Sequence, residues 1–89
     1  MKIKVSRPQN APLVLDLHGL RSDEAIEKLD KFISDSLVVG YDEVIVKHGI
    51  GTGKLAYAVR EFLKSHPFVK GFCDATPQQG GYGSKVIKL

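Results

Sequence analysis

The sequence predicts one α/β domain with its elements in the order β-α-β-α-β-β. Three observations lead there. The chain has 89 residues, enough for one two-layer core and no second domain. Apolar residues make up 43% and charged residues 26%, ordinary for a folded chain and too apolar for a disordered one. Short apolar runs alternate with amphipathic stretches of helical period, the pattern of parallel strands joined by right-handed crossovers.

Residues 1–12 read as an extended arm or linker stub, with a short strand candidate at Ile3 and Val5 and prolines at Pro8 and Pro12. The domain proper spans residues 13–89. Residues 13–17 form a strand by leucine and β-branched content, broken by Gly19. Ser22 reads as a helix N-cap, with Asp23 and Glu24 in the first turn, where acids suit the positive end of the dipole. Ile26, Leu29, Ile33 and Leu37 follow at helical spacing, and Gly40 closes the helix. Residues 43–47 make a second strand and His48 to Gly53 a glycine-rich turn. Leu55, Ala58, Val59, Phe62 and Leu63 define a second helix that stops before Pro67. Residues 69–74 and 84–89 are the last strands. Only a loop joins them, so they should pair antiparallel.

No apolar run approaches the roughly 20 residues of a transmembrane helix, and the start lacks the apolar core of a signal peptide. No membrane partner is expected, and the expected location is the cytoplasm. Cys73 is the only cysteine, which leaves no internal disulfide and no Cys-cluster zinc site. The net charge of +3 is unevenly spread. Residues 15–43 hold eight acids and three bases, whereas residues 44–89 hold seven bases and two acids. An anionic partner would meet the second half, or the arm with Lys2, Lys4 and Arg7.

Asp16 and His18 stand two apart on the first strand, so their side chains share a face, roughly 6.5–7 Å apart, and Leu15 and Leu17 take the other. His18 ends the first strand and His48 ends the second. In parallel strands these ends meet at one edge of the sheet, where open α/β sheets bind ligands. The loop carrying Gly80, Gly81 and Gly83 reaches the same edge. Singly, each feature has a plain structural explanation: a hydrogen-bonded strand end, or a turn that needs positive φ. Their convergence points to a site.

The turn from His48 to Lys54 fits neither common nucleotide motif. A Walker A loop would need glycine at 48 and Ser or Thr at 55, where His48 and Leu55 stand; a dinucleotide fingerprint starting at Gly49 would need glycine at 54, where Lys54 stands. A small nucleotide-binding domain is therefore disfavoured. What remains is a backbone cradle of Gly49, Gly51 and Gly53 opening a helix, with Lys54 as a point charge. Its target is a phosphate.

The run Leu15-Asp16-Leu17-His18-Gly19, followed by His48-Gly49, Gly51, Gly53 and Leu55, resembles the Smr (small MutS-related) domain. So does Gly80-Gly81-x-Gly83 before a terminal apolar strand. The stretch from Ala58 to Lys70 looks most like the version at the C-terminus of bacterial MutS-type-2 proteins. The resemblance implies a two-layer α/β sandwich with a mixed sheet, similar to the C-terminal domain of translation initiation factor three. It also implies nucleic-acid binding and endonuclease activity on DNA or RNA. The parent would be a larger protein that suppresses recombination or handles stalled ribosomes. The chain departs from the family at Ile50 and Ala56, where basic residues are common, and at Lys85, where Thr is usual.

On this reading Asp16, His18 and His48 are the catalytic candidates. Asp16 would orient His18 or hold a divalent cation, Mg or Mn, and either imidazole would serve as acid or base. Gly49, Gly51, Gly53, Lys54, Gly81, Gly83 and Lys85 are the phosphate-binding candidates. One carboxylate and two imidazoles make a thin site for two metals, so one metal or none is expected. The partner is branched or duplex DNA, or RNA. The alternative is a docking module that binds nucleic acid or a ribosome without cutting.

Overall fold

The computed structural model describes residues 13–51, 53–76 and 83–89. The arm at residues 1–12, with its expected strand, lies outside them. The elements are β1 (Leu13–Asp16), α1 (Ser22–Val39), β2 (Glu43–Lys47), α2 (Lys54–Ser65), β3 (Gly71–Asp74) and β4 (Ser84–Lys88), in the order expected.

The sheet order is β1-β2-β4-β3. β1 and β2 are parallel, with Leu13 opposite Val44 and Asp16 opposite Lys47, and β3 and β4 are antiparallel. β4 lies between β2 and β3 and runs antiparallel to both. Burial explains this placement. Ser84, Lys85, Val86 and Ile87 are all buried, as in a strand covered on both faces and both edges, whereas Cys73 and Asp74 of β3 are exposed, as suits an edge.

Period two sorts the side chains. Leu13, Leu15 and Leu17 share a face with Val44, Val46 and Ile87, and this face packs against Ala25, Leu29 and Ile33 of α1 and Val59 and Leu63 of α2. The result is helices on one side of a mixed sheet. Burying each of Leu29 or Leu63 contributes about 1.5–3 kcal/mol.

α1 begins one position earlier than the serine signal indicates. The Arg21 carbonyl accepts the Ala25 N–H at 2.8 Å, so Arg21 is the N-cap and Ser22 the first helical residue. The Arg21 N–H donates to Glu24 Oε1 at a long 3.4 Å. The helix ends as expected at Gly40: its N–H donates to the carbonyls of Ser36 and Leu37, and its φ of +106° turns the chain so that the Tyr41 N–H also reaches the Ser36 carbonyl at 2.9 Å.

His66, at the end of α2, braces the helix layer. It accepts the Phe68 N–H on Nδ1 and donates from Nε2 to Asp30 of α1, both at 3.1 Å. Its ring packs edge-on against Phe62. Ser36 is a weak point: it is fully buried in α1, with no hydrogen-bond partner for its hydroxyl among the described residues. Removing a buried unsatisfied hydroxyl should stabilise the fold, so Ser36→Ala is expected to raise the unfolding free energy by about 1 kcal/mol in a urea titration.

Candidate functional site

β1 and β2 stay paired up to the site: the Leu17 N–H donates to the Lys47 carbonyl at 2.6 Å. Beyond that point the chain turns at Gly19, and His18 is held by its neighbour. Asp16 Oδ1 accepts both the His18 backbone N–H at 3.1 Å and its ring Nδ1 at 2.7 Å. A proton fixed on Nδ1 leaves Nε2 as the available ring nitrogen. The bonds from the His18 ring and backbone, followed by the nearby charges of His18 and Lys47, hold the Asp16 carboxyl below the usual carboxylate range. It is therefore ionised at neutral pH, and its Oδ2 accepts no bond from the described residues.

His48 has a different environment. It continues the face of Val44 and Val46, so it turns toward the helices and is 8% exposed. Its backbone N–H donates to the Gly83 carbonyl at 2.7 Å, the Gly49 N–H donates to the same carbonyl at 3.0 Å, and its Nδ1 donates to the Gly49 carbonyl at 2.8 Å. Nε2 is buried without a partner among the described residues. The ring ties the glycine turn to the start of β4. Gly83 makes this approach possible: at φ +81°, an added Cβ would lie 2.9 Å from the Gly49 carbonyl carbon.

The turn itself runs through positive φ at Gly49, Gly51 and Gly53, and Gly53 is the N-cap of α2. His18 lies directly against it, because a Cβ on Gly49 would sit 3.1 Å from His18 Cβ. His18 and the cradle therefore share one cleft of about 520 Å³, lined by His18, His48, Gly49, Gly51, Gly53 and Lys54 together with Arg21 and Ser22; Asp16 holds His18 without lining the cleft itself.

Both helices start at this cleft, and the sequence distinguishes them. The first turn of α1 carries Asp23 and Glu24, which compensate its positive end. The first turn of α2 carries no acid and adds Lys54. The uncompensated dipole end belongs to α2, so an anion is attracted there. Sequence reasoning alone does not single out Arg21 and Ser22 as cleft walls. Their position just after Gly19 is the available signal.

The remaining site candidates divide. Gly81 lies outside the described residues. Gly83 supports the turn. Lys85 does not line this cleft: it faces the helix side of β4, is largely buried, and donates to Asp74 Oδ1 at 2.8 Å beside Arg60 and Lys64. Lys85 holds the Asp74 carboxyl below the usual range, first by that hydrogen bond and then by its charge. The depressed value means that Asp74 adds stability above the ordinary carboxylate range, and this is lost as pH falls through its lowered pKa. Asp74→Asn, which strands the buried ammonium, should lower Tm at pH 7 and leave Tm nearly unchanged in strong acid.

Among the described residues no three His, Cys, Asp or Glu side chains cluster as a metal site. Asp16 and His18 supply two donors at most. Of the two, the Asp16 carboxylate is the donor that suits a hard ion of the Mg²⁺ type, which takes its other ligands from water and phosphate.

Comparison with known proteins gives a consistent answer. The Smr domain family model matches residues 15–89. The chain is 48% identical over 88 residues to Endonuclease MutS2 of Helicobacter pylori, covering 99% of this chain and 12% of that protein. It is 45% identical to Endonuclease MutS2 of Lactobacillus helveticus, covering 93% of this chain and 11% of that protein. It thus spans about a tenth of the length of these relatives. The Smr domain of Thermus thermophilus MutS2 superposes with a TM-score of 0.83 at 36% identity, over 86% of this chain and 96% of that one. YdaL, a stand-alone small MutS-related protein from Escherichia coli, gives 0.79 at 28% identity, over 92% of this chain and 66% of that one. With a family model over nearly its whole length and the same mixed sheet in solved relatives, this chain belongs to the Smr domain family.

Proposed function

We propose that this domain binds nucleic acid at the glycine-turn cleft and hydrolyses a phosphodiester bond there. The observation that carries the reading is the 2.7 Å bond by which Asp16 holds His18, whose ring lines the same cleft as the N-terminus of α2, where the first turn carries no acid. The name of the relatives, endonuclease, supports it.

The roles follow from the chemistry of each group. The Gly51 N–H, the first-turn N–H groups of α2 and the Lys54 ammonium bind the phosphate and stabilise charge as it builds on the non-bridging oxygens. The Gly49 and Gly53 N–H groups are already given to the Gly83 and Ile50 carbonyls at 3.0 and 3.2 Å, so these two glycines shape the turn. His18 Nε2 takes a proton from water as the water oxygen bonds to phosphorus. The bond to the leaving sugar oxygen then breaks, and that oxygen is protonated from solvent. Asp16 holds the His18 tautomer and stabilises the imidazolium. His48 positions the turn, consistent with its buried Nε2. A bound Mg²⁺ or Mn²⁺ would be held by Asp16 Oδ2 and would supply charge neutralisation at the phosphate. The partner is DNA, branched or duplex, or RNA.

The test is cleavage of supercoiled plasmid and of a structured RNA, each with Mg²⁺, Mn²⁺ or EDTA. Nicking or RNA scission by the purified domain supports the reading. Tight binding without scission under every condition would leave a docking module.

A further inference from the structure

A second groove, of about 480 Å³, lies between α2 and the β3–β4 pair. Its lining includes Arg60, Lys64 and Lys85 against one acid, Asp74. Asp74 is already neutralised by Lys85 at 2.8 Å. Arg60 makes no ion pair among the described residues, and Lys64 reaches Glu61 only at a loose 3.5 Å. Lys85 is held by Asp74, whose single negative charge Arg60 also feels, so three cations on one groove share one acid and repel one another. An anion would relieve that repulsion.

The surface of α2 connects this groove to the cleft. At 100° per residue, the core side of the helix centres on Val59 and Leu63 and Glu61 stands opposite, while Lys54, Tyr57 and Arg60 follow one another at three-residue steps along one flank. Leu55 and Lys54 face the cleft, and Arg60 and Lys64 face the groove. Tyr57 stands between them with 66% of its surface exposed. Lys54 and Lys64 are about 15 Å apart along the helix, roughly four nucleotides at a stacked spacing of 3.4 Å. Two phosphate sites with a bare aromatic ring between them match a strand whose bases are free to stack. A closed duplex hides its base faces and would gain nothing from Tyr57.

We infer that the Arg60–Lys64–Lys85 groove is a second phosphate site, and that a single-stranded segment of nucleic acid crosses α2 from the cleft into it, stacking a base on Tyr57. The inference rests on the nucleic-acid reading above and adds a path, a second subsite and a strand preference.

The chain has no Trp and three Tyr residues, of which Tyr41 is buried and Tyr57 exposed. Comparing the parent with Tyr57→Leu therefore isolates the Tyr57 share of the emission. Oligothymidylate and oligouridylate of about 4 and about 12 nucleotides, and a duplex of about 12 base pairs, are titrated at several salt concentrations. The longer single strands should quench emission and bind at least roughly tenfold tighter than the short ones. The Arg60→Ala/Lys64→Ala double variant should lose that length advantage and keep its affinity for the short strands. Its salt slope should fall by about 1.4, or about 0.7 for each phosphate no longer held. Tyr57→Leu should lose the quench with single strands and leave duplex binding unchanged. A double variant that binds the long strands like the parent, while Lys54→Ala does not, overturns the second site and leaves the cleft intact. A parent domain that binds no strand and no duplex overturns the underlying reading itself.

Discussion

His18→Ala is expected to slow single-turnover cleavage by roughly 100- to 10,000-fold, the range of a lost general base, while binding stays within a few-fold of the parent. The side chain is exposed, so folding is preserved. Asp16→Asn should give a smaller loss of the same kind, because the amide can offer its N–H toward Nδ1 and stabilise the wrong tautomer. His48→Ala should behave differently. It removes the ring that fastens the glycine turn beside Gly83, so Tm and affinity should fall together with rate. Cleavage rate, affinity and thermal melts on the three variants separate a proton carrier from a brace. If folded His18→Ala cuts as fast as the parent, the chemistry lies elsewhere.

The second large effect concerns Lys54. A cation in the first turn of a helix opposes the dipole, at a cost of about 0.3–1 kcal/mol. Lys54→Glu should therefore raise Tm by a few degrees, since 1 kcal/mol shifts a domain of this size by about 4–8 °C. The same change should weaken nucleic-acid binding by roughly 10- to 100-fold near 0.1 M salt, by removing one charge from the phosphate and adding repulsion. Opposite signs for stability and affinity would mark Lys54 as a residue kept for binding at the fold's expense. A variant less stable than the parent, with unchanged affinity, would contradict this.

Much of this arrangement is legible in the sequence because it is local. The Asp16–His18 pair follows from two-residue spacing on a strand, and the cradle from three glycines before an amphipathic helix. The parity that pairs Asp16 with His18 also puts His48 beyond Val44 and Val46, on the core face, so its burial is available from the pattern. Lys85 is harder. β4 is buried on both faces, and in such a strand alternation no longer marks the side a residue takes. The insertion of β4 between β2 and β3 is not legible either, because helical crossovers fix the direction of strands and leave their order open. Arg60 and Lys64 read only as charge in the sequence, since the groove they line exists only once β3 is placed at the edge.

The central claim is that the phosphate sits on the glycine turn at the start of α2. Backbone amide resonances of the isotope-labelled domain, followed while an oligonucleotide is added, test this directly. The largest downfield shifts are expected at Gly51, Lys54 and Leu55, with weaker changes at Tyr57 and Arg60 and almost none at Asp23 and Glu24. Shifts concentrated at the start of α1, or on the sheet face of Ile45 and Val86, would contradict it.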